Sequence, residues 1–207
     1  MFKLFRNKKV MKLIVGFVAL SFLGGFVGSA ALRSLGQVDE TEAQDNAFAE
    51  ELANNISVLE GDLDYYNTAI EEEPDNVENY IILADTYYQL AGLKSGYLGE
   101  DVTSYLTLAR DNYKKALELD ESRKNLMLSI AMVETALSNF TEATSYYELF
   151  LSEYPESFEA NALYTQMLAL AEELDQAQVW LEKTRELAVT DEELAIVEQL
   201  NGMLNPS

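Results

Sequence analysis

The chain contains no cysteine and no histidine. Without cysteine there is no disulfide, no thiolate nucleophile and no thiolate metal ligand. Without histidine the commonest general base and the commonest transition-metal ligand are missing too. No glycine-rich loop of the phosphate-cradling kind occurs. None of the acidic clusters (Asp62–Asp64, Glu71–Asp75, Glu172–Asp175, Asp191–Glu193) follows the calcium-loop pattern, with its central glycine and terminal glutamate. Carboxylates alone are a weak catalytic signal. The sequence therefore predicts no enzyme, no cofactor, no metal site and no small-molecule substrate.

Acidic residues are absent from the start of the chain, and basic ones are scarce in the rest. Residues 1–36 hold Lys3, Arg6, Lys8, Lys9, Lys12 and Arg33 and no acid. The remainder carries the other 8 basic residues and all 36 acidic ones, a net charge of −28. A surface this acidic repels nucleic-acid backbones, so no nucleic-acid partner is expected. A partner steered by charge would be basic. A plain solvated helical surface is the other reading.

The basic flank of residues 1–12 precedes Leu13 to Leu32, about 20 residues without a charge. That is the length of a helix crossing a bilayer core. The flank predicts a cytoplasmic N-terminus and an extracytoplasmic remainder, a single-pass protein of the cell membrane. An uncleaved signal-anchor suits the length of the stretch. A cleaved signal peptide, cut near Val27-Gly28-Ser29-Ala30-Ala31, is the alternative, and both export the remainder of the chain. Residues 33–42 read as a polar linker.

The rest is patterned. Tyr66-x-x-Ala69-Ile70-x-x-x-Pro74 ends a helix, and Tyr80-x-x-Leu83-Ala84-x-x-Tyr87 starts the next on a three/four apolar spacing. The second-helix pattern returns as Ala109-x-x-x-Tyr113-x-x-Ala116-x-x-x-x-Glu121. It returns again as Ala143-x-x-x-Tyr147-x-x-Phe150-x-x-x-x-Pro155, with Ile130-Ala131 ahead of it. Glu121 and Pro155 stand 34 positions apart, and so do Pro155 and Val189. Pro74 and Glu121 stand 47 apart, one period plus 13, which places a single insertion at about residues 91–104.

These offsets resemble the tetratricopeptide repeat over roughly residues 40–190. The match rests on Pro74, Ala84, Ala143 and Pro155. It weakens in the last unit, where Thr165 and Thr184 stand in place of alanines. The resemblance implies an all-α, right-handed solenoid of about three and a half to four hairpins over residues 43–207, with a capping helix and a transmembrane helix before it. A generic helical bundle would account for the apolar stripes but would not require the recurring offsets. Helices are expected at 40–58 and 62–73 as a degenerate first pair, then at 77–91, 102–119, 124–138, 141–153, 157–172 and 175–188. A last helix runs from Asp191, as N-cap, to Leu204. Gly92, Gly96 and Gly99 are expected to break the chain into a loop, on which Tyr97 and Leu98 are contact candidates unless they fold back on adjacent helices.

In this family the first helix of each pair lines a groove that holds a peptide or helix. Carried over by register, its positions are Glu78, Ile81, Asp85 and Tyr88; then Asn125, Leu128, Met132 and Thr135; then Glu159, Ala162, Gln166 and Ala169. The cochaperones of the family clamp a terminal carboxylate with lysine, asparagine and arginine. Ile81, Leu128 and Ala162 occupy the lysine-type positions here, so that clamp is absent. The expected function is a membrane-anchored extracytoplasmic scaffold for a protein partner of a bacterial envelope or secretion pathway. A self-assembling repeat protein and an accessory subunit docked through residues 13–32 are the alternatives.

Overall fold

Between Glu42 and Glu72 there is no proline and one glycine, and the chain winds as a single helix, α1 (Glu42–Glu72, 31 residues). The structure, a computed structural model, describes the backbone of residues 42–205 and the side chains of residues 48–205. The basic flank, the apolar stretch 13–32 and nearly all of the linker lie outside the described residues. Among those described, no helix is long and apolar enough to cross a membrane, and every regular element is helical. The described chain forms two units, one up to Ala109 and one from Arg110.

In the first unit the expected pair of helices over 40–73 is replaced by the unbroken α1. A helix-interior glycine costs only about 1 kcal/mol relative to alanine, so Gly61 alone does not end it. Leu52, Ile56, Leu59, Leu63, Tyr66 and Ile70 follow one another at alternating steps of four and three and form its half-buried stripe. That stripe packs on α2 (Val77–Leu93). The turn between them is closed by Asn76, which caps α2 by accepting from the Glu78 N–H and whose amide donates to Glu73 at 2.7 Å. The Tyr80 hydroxyl donates to the Pro74 carbonyl at 3.0 Å.

The expected loop at 91–104 is mostly helical. α2 runs through Gly92 to Leu93, and Lys94–Leu98 continues it as a wider π-turn containing Gly96. Only Gly99 breaks the chain, with φ 68° and its N–H donated to Lys94 O. Lys94 is pinned by Glu60 at 3.0 Å and sits 5.5 Å over the Tyr105 ring. The hydrogen bond to Glu60 is the main reason its ammonium titrates above the ordinary lysine value. Asp101 then accepts from the Thr103 N–H and hydroxyl, and α3 (Thr103–Leu119) begins.

The second unit contains two helical hairpins and a closing helix. α4 (Leu126–Ala136) pairs with α5 (Phe140–Glu153), and α6 (Phe158–Leu170) pairs with α7 (Leu174–Leu187). The two hairpins repeat residue for residue. Their turns place Ser138 at φ 60° and Glu172 at φ 63°, 34 positions apart. Asn139 N donates to Glu134 O at 2.8 Å, and at the same offset Glu173 N donates to Leu168 O at 2.9 Å. Ala131, Ala143, Thr165 and Ala177, at the helix crossings, have no exposed surface. The two threonines that weaken the pattern fit because each hydroxyl donates to the carbonyl four residues back. Their oxygens lie 3.2 Å apart.

α8 (Asp191–Leu204) starts one period after α6, to within a residue, and packs on both α6 and α7. It takes the place of a further first helix. Val197 and Leu200 join Ala162 and Leu181 in one core, flanked by Phe158, Ala188, Ile196, Met203 and Leu204. The N-cap is Thr190 rather than the expected Asp191. Its side chain accepts from the Glu193 N–H, and Glu193 accepts back from the Thr190 N–H, a capping box. The backbone hydrogen bonds it accepts hold the Glu193 carboxyl below the ordinary carboxylate range.

A side chain at positive φ costs about 1–2 kcal/mol that glycine avoids. Glu172→Gly is therefore expected to stabilise the protein by about 1 kcal/mol, and the β-branched Glu172→Val to destabilise it. The urea midpoint checks both signs.

Candidate peptide-binding surface

The first helices α2, α4 and α6 present the register-derived positions unequally. Glu78, Asn125 and Glu159 are exposed; Ile81, Asp85, Leu128, Thr135 and Ala169 are half-buried. Tyr88, Met132 and Gln166 are buried, at 5%, 4% and 6% exposure, so they do not line an open surface. Ala162 is also lost to the surface, because α8 covers it. The reason is geometric. Met132 and Gln166 occupy the same position one repeat apart, next to the fully buried Ala131 and Thr165, so they turn into the packed layer with those neighbours. What stays open in the second unit is Asn125, Leu128, Thr135, Glu159 and Ala169, with Leu128 the large apolar member. The Thr135 hydroxyl is already donated to Ala131 O. Glu159 keeps much of its surface in water, but partial desolvation by the surrounding chain still raises its carboxyl above the ordinary carboxylate range.

An aromatic ladder stiffens the second unit behind this surface. Tyr147 and Tyr164 stack at 5.3 Å, and Tyr164 meets Trp180 at 4.8 Å. Burial first, and then the Glu148 carboxylate accepting from its hydroxyl at 3.3 Å, pushes Tyr164 up to about 12. Lys183 covers the Trp180 ring at 4.2 Å.

One functional-looking residue has no counterpart among the sequence-predicted positions. Glu134 is 1% exposed and follows the apolar run Ile130-Ala131-Met132-Val133 of α4. It accepts from Lys114 Nζ of α3 at 2.8 Å and from Asn139 Nδ2 at 2.8 Å. The carboxylate thus ties the α4–α5 turn to α3. A lone acid beside an apolar helix run is the signal that could have found it. Beside it lies an open depression of about 340 Å³ lined by Leu117, Glu118, Glu121, Lys124, Met127 and Tyr146 as well as Lys114. The Lys114 ammonium lies 5.4 Å from the Tyr146 ring centre. Among the described residues no group of three acids could hold a metal ion.

No family model matches the chain, and no curated protein matches it. Among solved structures, it is similar to two of MamA. One is 17% identical, covering 65% of this chain and 85% of that one at a TM-score of 0.38. The other is 16% identical, covering 72% and 96%, also at 0.38. Identity and overlap at this level assign no function.

Removing one partner of a buried ion pair costs about 3–5 kcal/mol, whereas replacing both with apolar groups is often near neutral. Lys114 keeps 34% of its side chain in water, so Lys114→Met is expected at about 3 kcal/mol, the low end of that range. Lys114→Met with Glu134→Leu should recover most of the loss, as measured by chemical denaturation of all three proteins.

Proposed function

We propose that the protein is a membrane-anchored, extracytoplasmic interaction scaffold. Its hairpins continue as a right-handed tetratricopeptide-type solenoid tethered through residues 13–32. The surface of the first helices receives an apolar or basic peptide or helix from an envelope or secretion-pathway protein. The observation that carries this reading is the residue-for-residue repetition of two hairpins at an offset of 34 positions. Such stacking spends the inner faces on packing and leaves one row of each first helix to meet a partner. Leu128 and Asn125 on α4 and Glu159 on α6 offer apolar, amide and acidic contacts. The net charge of −28 outside residues 1–36 favours a basic partner.

Head-to-tail self-assembly is the weaker reading. A further helix would have to pack on the outer side of α8, where Glu198 and Gln199 are exposed beside Leu194, which is 47% exposed. Leu194 would gain from such a stack, but Glu198 and Gln199 would lose their hydration in it.

Photo-crosslinking in the native cell tests the proposal, with the probe at Leu128 or Asn125 and a comparison probe at the exposed Ser152 of α5. The expected result is a discrete adduct from the first-helix probes alone, kept when residues 13–32 are exchanged for an unrelated anchor. Equal adducts from all three positions, or none, would remove the groove from the account. Loss of the adduct on exchanging the anchor would favour docking through the transmembrane segment.

A further inference from the structure

Three large apolar side chains of the first unit stand exposed, one near the start of α1 and two on the π-turn that follows α2. Phe48, Tyr97 and Leu98 are 52%, 58% and 50% exposed. The rings of Phe48 and Tyr97 touch edge to face, with centroids 5.5 Å apart. They are not a frayed tip. The π-turn that carries Tyr97 and Leu98 is fastened to α1 through Lys94 and Glu60 and stopped by Gly99 in the left-handed conformation. Burying either ring elsewhere would have been favourable, so a fixed, exposed cluster of this kind marks a contact.

The position of the cluster selects its occupant. Phe48 lies six residues from the first described residue, about 9 Å along a helix. Residues 33–41 separate that point from the apolar stretch ending at Leu32 and span at most about 30 Å when fully extended. The cluster is thus at the end of the unit nearest the proposed anchor. Tyrosine and phenylalanine suit the headgroup layer, where an amphipathic ring is half solvated. The exposed acids around it, Glu50, Glu51, Glu100 and Asp101, exclude an anionic surface.

We infer that Phe48, Tyr97 and Leu98 form a membrane-facing foot, seated in the headgroup region of a zwitterionic bilayer. The foot sets the direction in which α1 leaves the membrane. This inference rests on the proposed anchoring through residues 13–32.

Because the chain has no cysteine, a single fluorophore can be placed at will. The full chain would be reconstituted in phosphatidylcholine nanodiscs carrying an environment-sensitive label at Leu98→Cys. The reference is Tyr65→Cys, 67% exposed on the same helix as Phe48 and about 25 Å further along it. The expected result is a blue-shifted emission at position 98 that spin-labelled lipids quench, and a water-like, unquenched emission at position 65. Adding Phe48→Ser and Tyr97→Ser should return position 98 towards the reference, and so should replacing the lipid with phosphatidylglycerol. Matching emission at both positions, with the protein retained in the disc fraction, would overturn the foot and leave the anchor standing. Failure of the chain to stay with the discs would overturn both.

Discussion

The second unit depends on how closely two helices can cross. Ala131 against the α5 row and Thr165 against the α7 row are fully buried small residues, and so are Ala143 and Ala177. Anything larger would hold the helices apart and forfeit the dense contact around Tyr147, Tyr164 and Leu181. The turns serve the same crossing. They reverse the chain within a few residues by accepting a left-handed backbone at Ser138 and Glu172, neither of which is a glycine. That strain persists because the packing on either side determines the turn. Repeating the device one period later gives each hairpin the same face to offer the next, and α8 closes the series in register.

The parts legible in the sequence are those governed by this repetition. The hairpins α4–α5 and α6–α7, and α8, lie within a few residues of their expected spans. Their positions follow from small and aromatic residues recurring at fixed offsets. Glycine as punctuation holds at Gly99 and fails at the other three described glycines of the first unit. Gly61, Gly92 and Gly96 are all carried inside helical turns, since one glycine costs less than the packing of the surrounding stripe returns. Thr190 caps α8 in place of Asp191 because the reciprocal bond with Glu193 needs the residue three positions earlier. The candidate groove is legible by row but not by depth. Register locates Leu128 and Asn125, yet it cannot separate them from Met132 and Gln166, which the neighbouring helices bury.

Chemistry and charge point the same way as architecture. With neither histidine nor cysteine the chain lacks two common catalytic side-chain types, and its acidic residues mostly occupy helix ends and solvated faces. The buried carboxylate among the described residues, Glu134, holds a turn. The exposed apolar side chains include Leu98 and Tyr97 in the first unit and, half-buried, Leu128 in the second. The proposed scaffold, held at a membrane and offering one face to a partner, would use both.

If residues 110–205 are built from interchangeable units one repeat period long, a protein lacking one whole unit should still fold. Deleting residues 139–172 would join Ser138 to Glu173, so that α4 runs through an equivalent turn into α7. The expected product is a shorter protein that keeps the helicity per residue and unfolds cooperatively on heating. A deletion two residues shorter, 141–172, would keep the turn at Ser138 but rotate α7 by about 200°, carrying its apolar face away from α4, and should not fold. If the full-period deletion were as unstructured as the shorter one, the hairpins would not be repeats of a common unit, and the scaffold reading would lose its foundation.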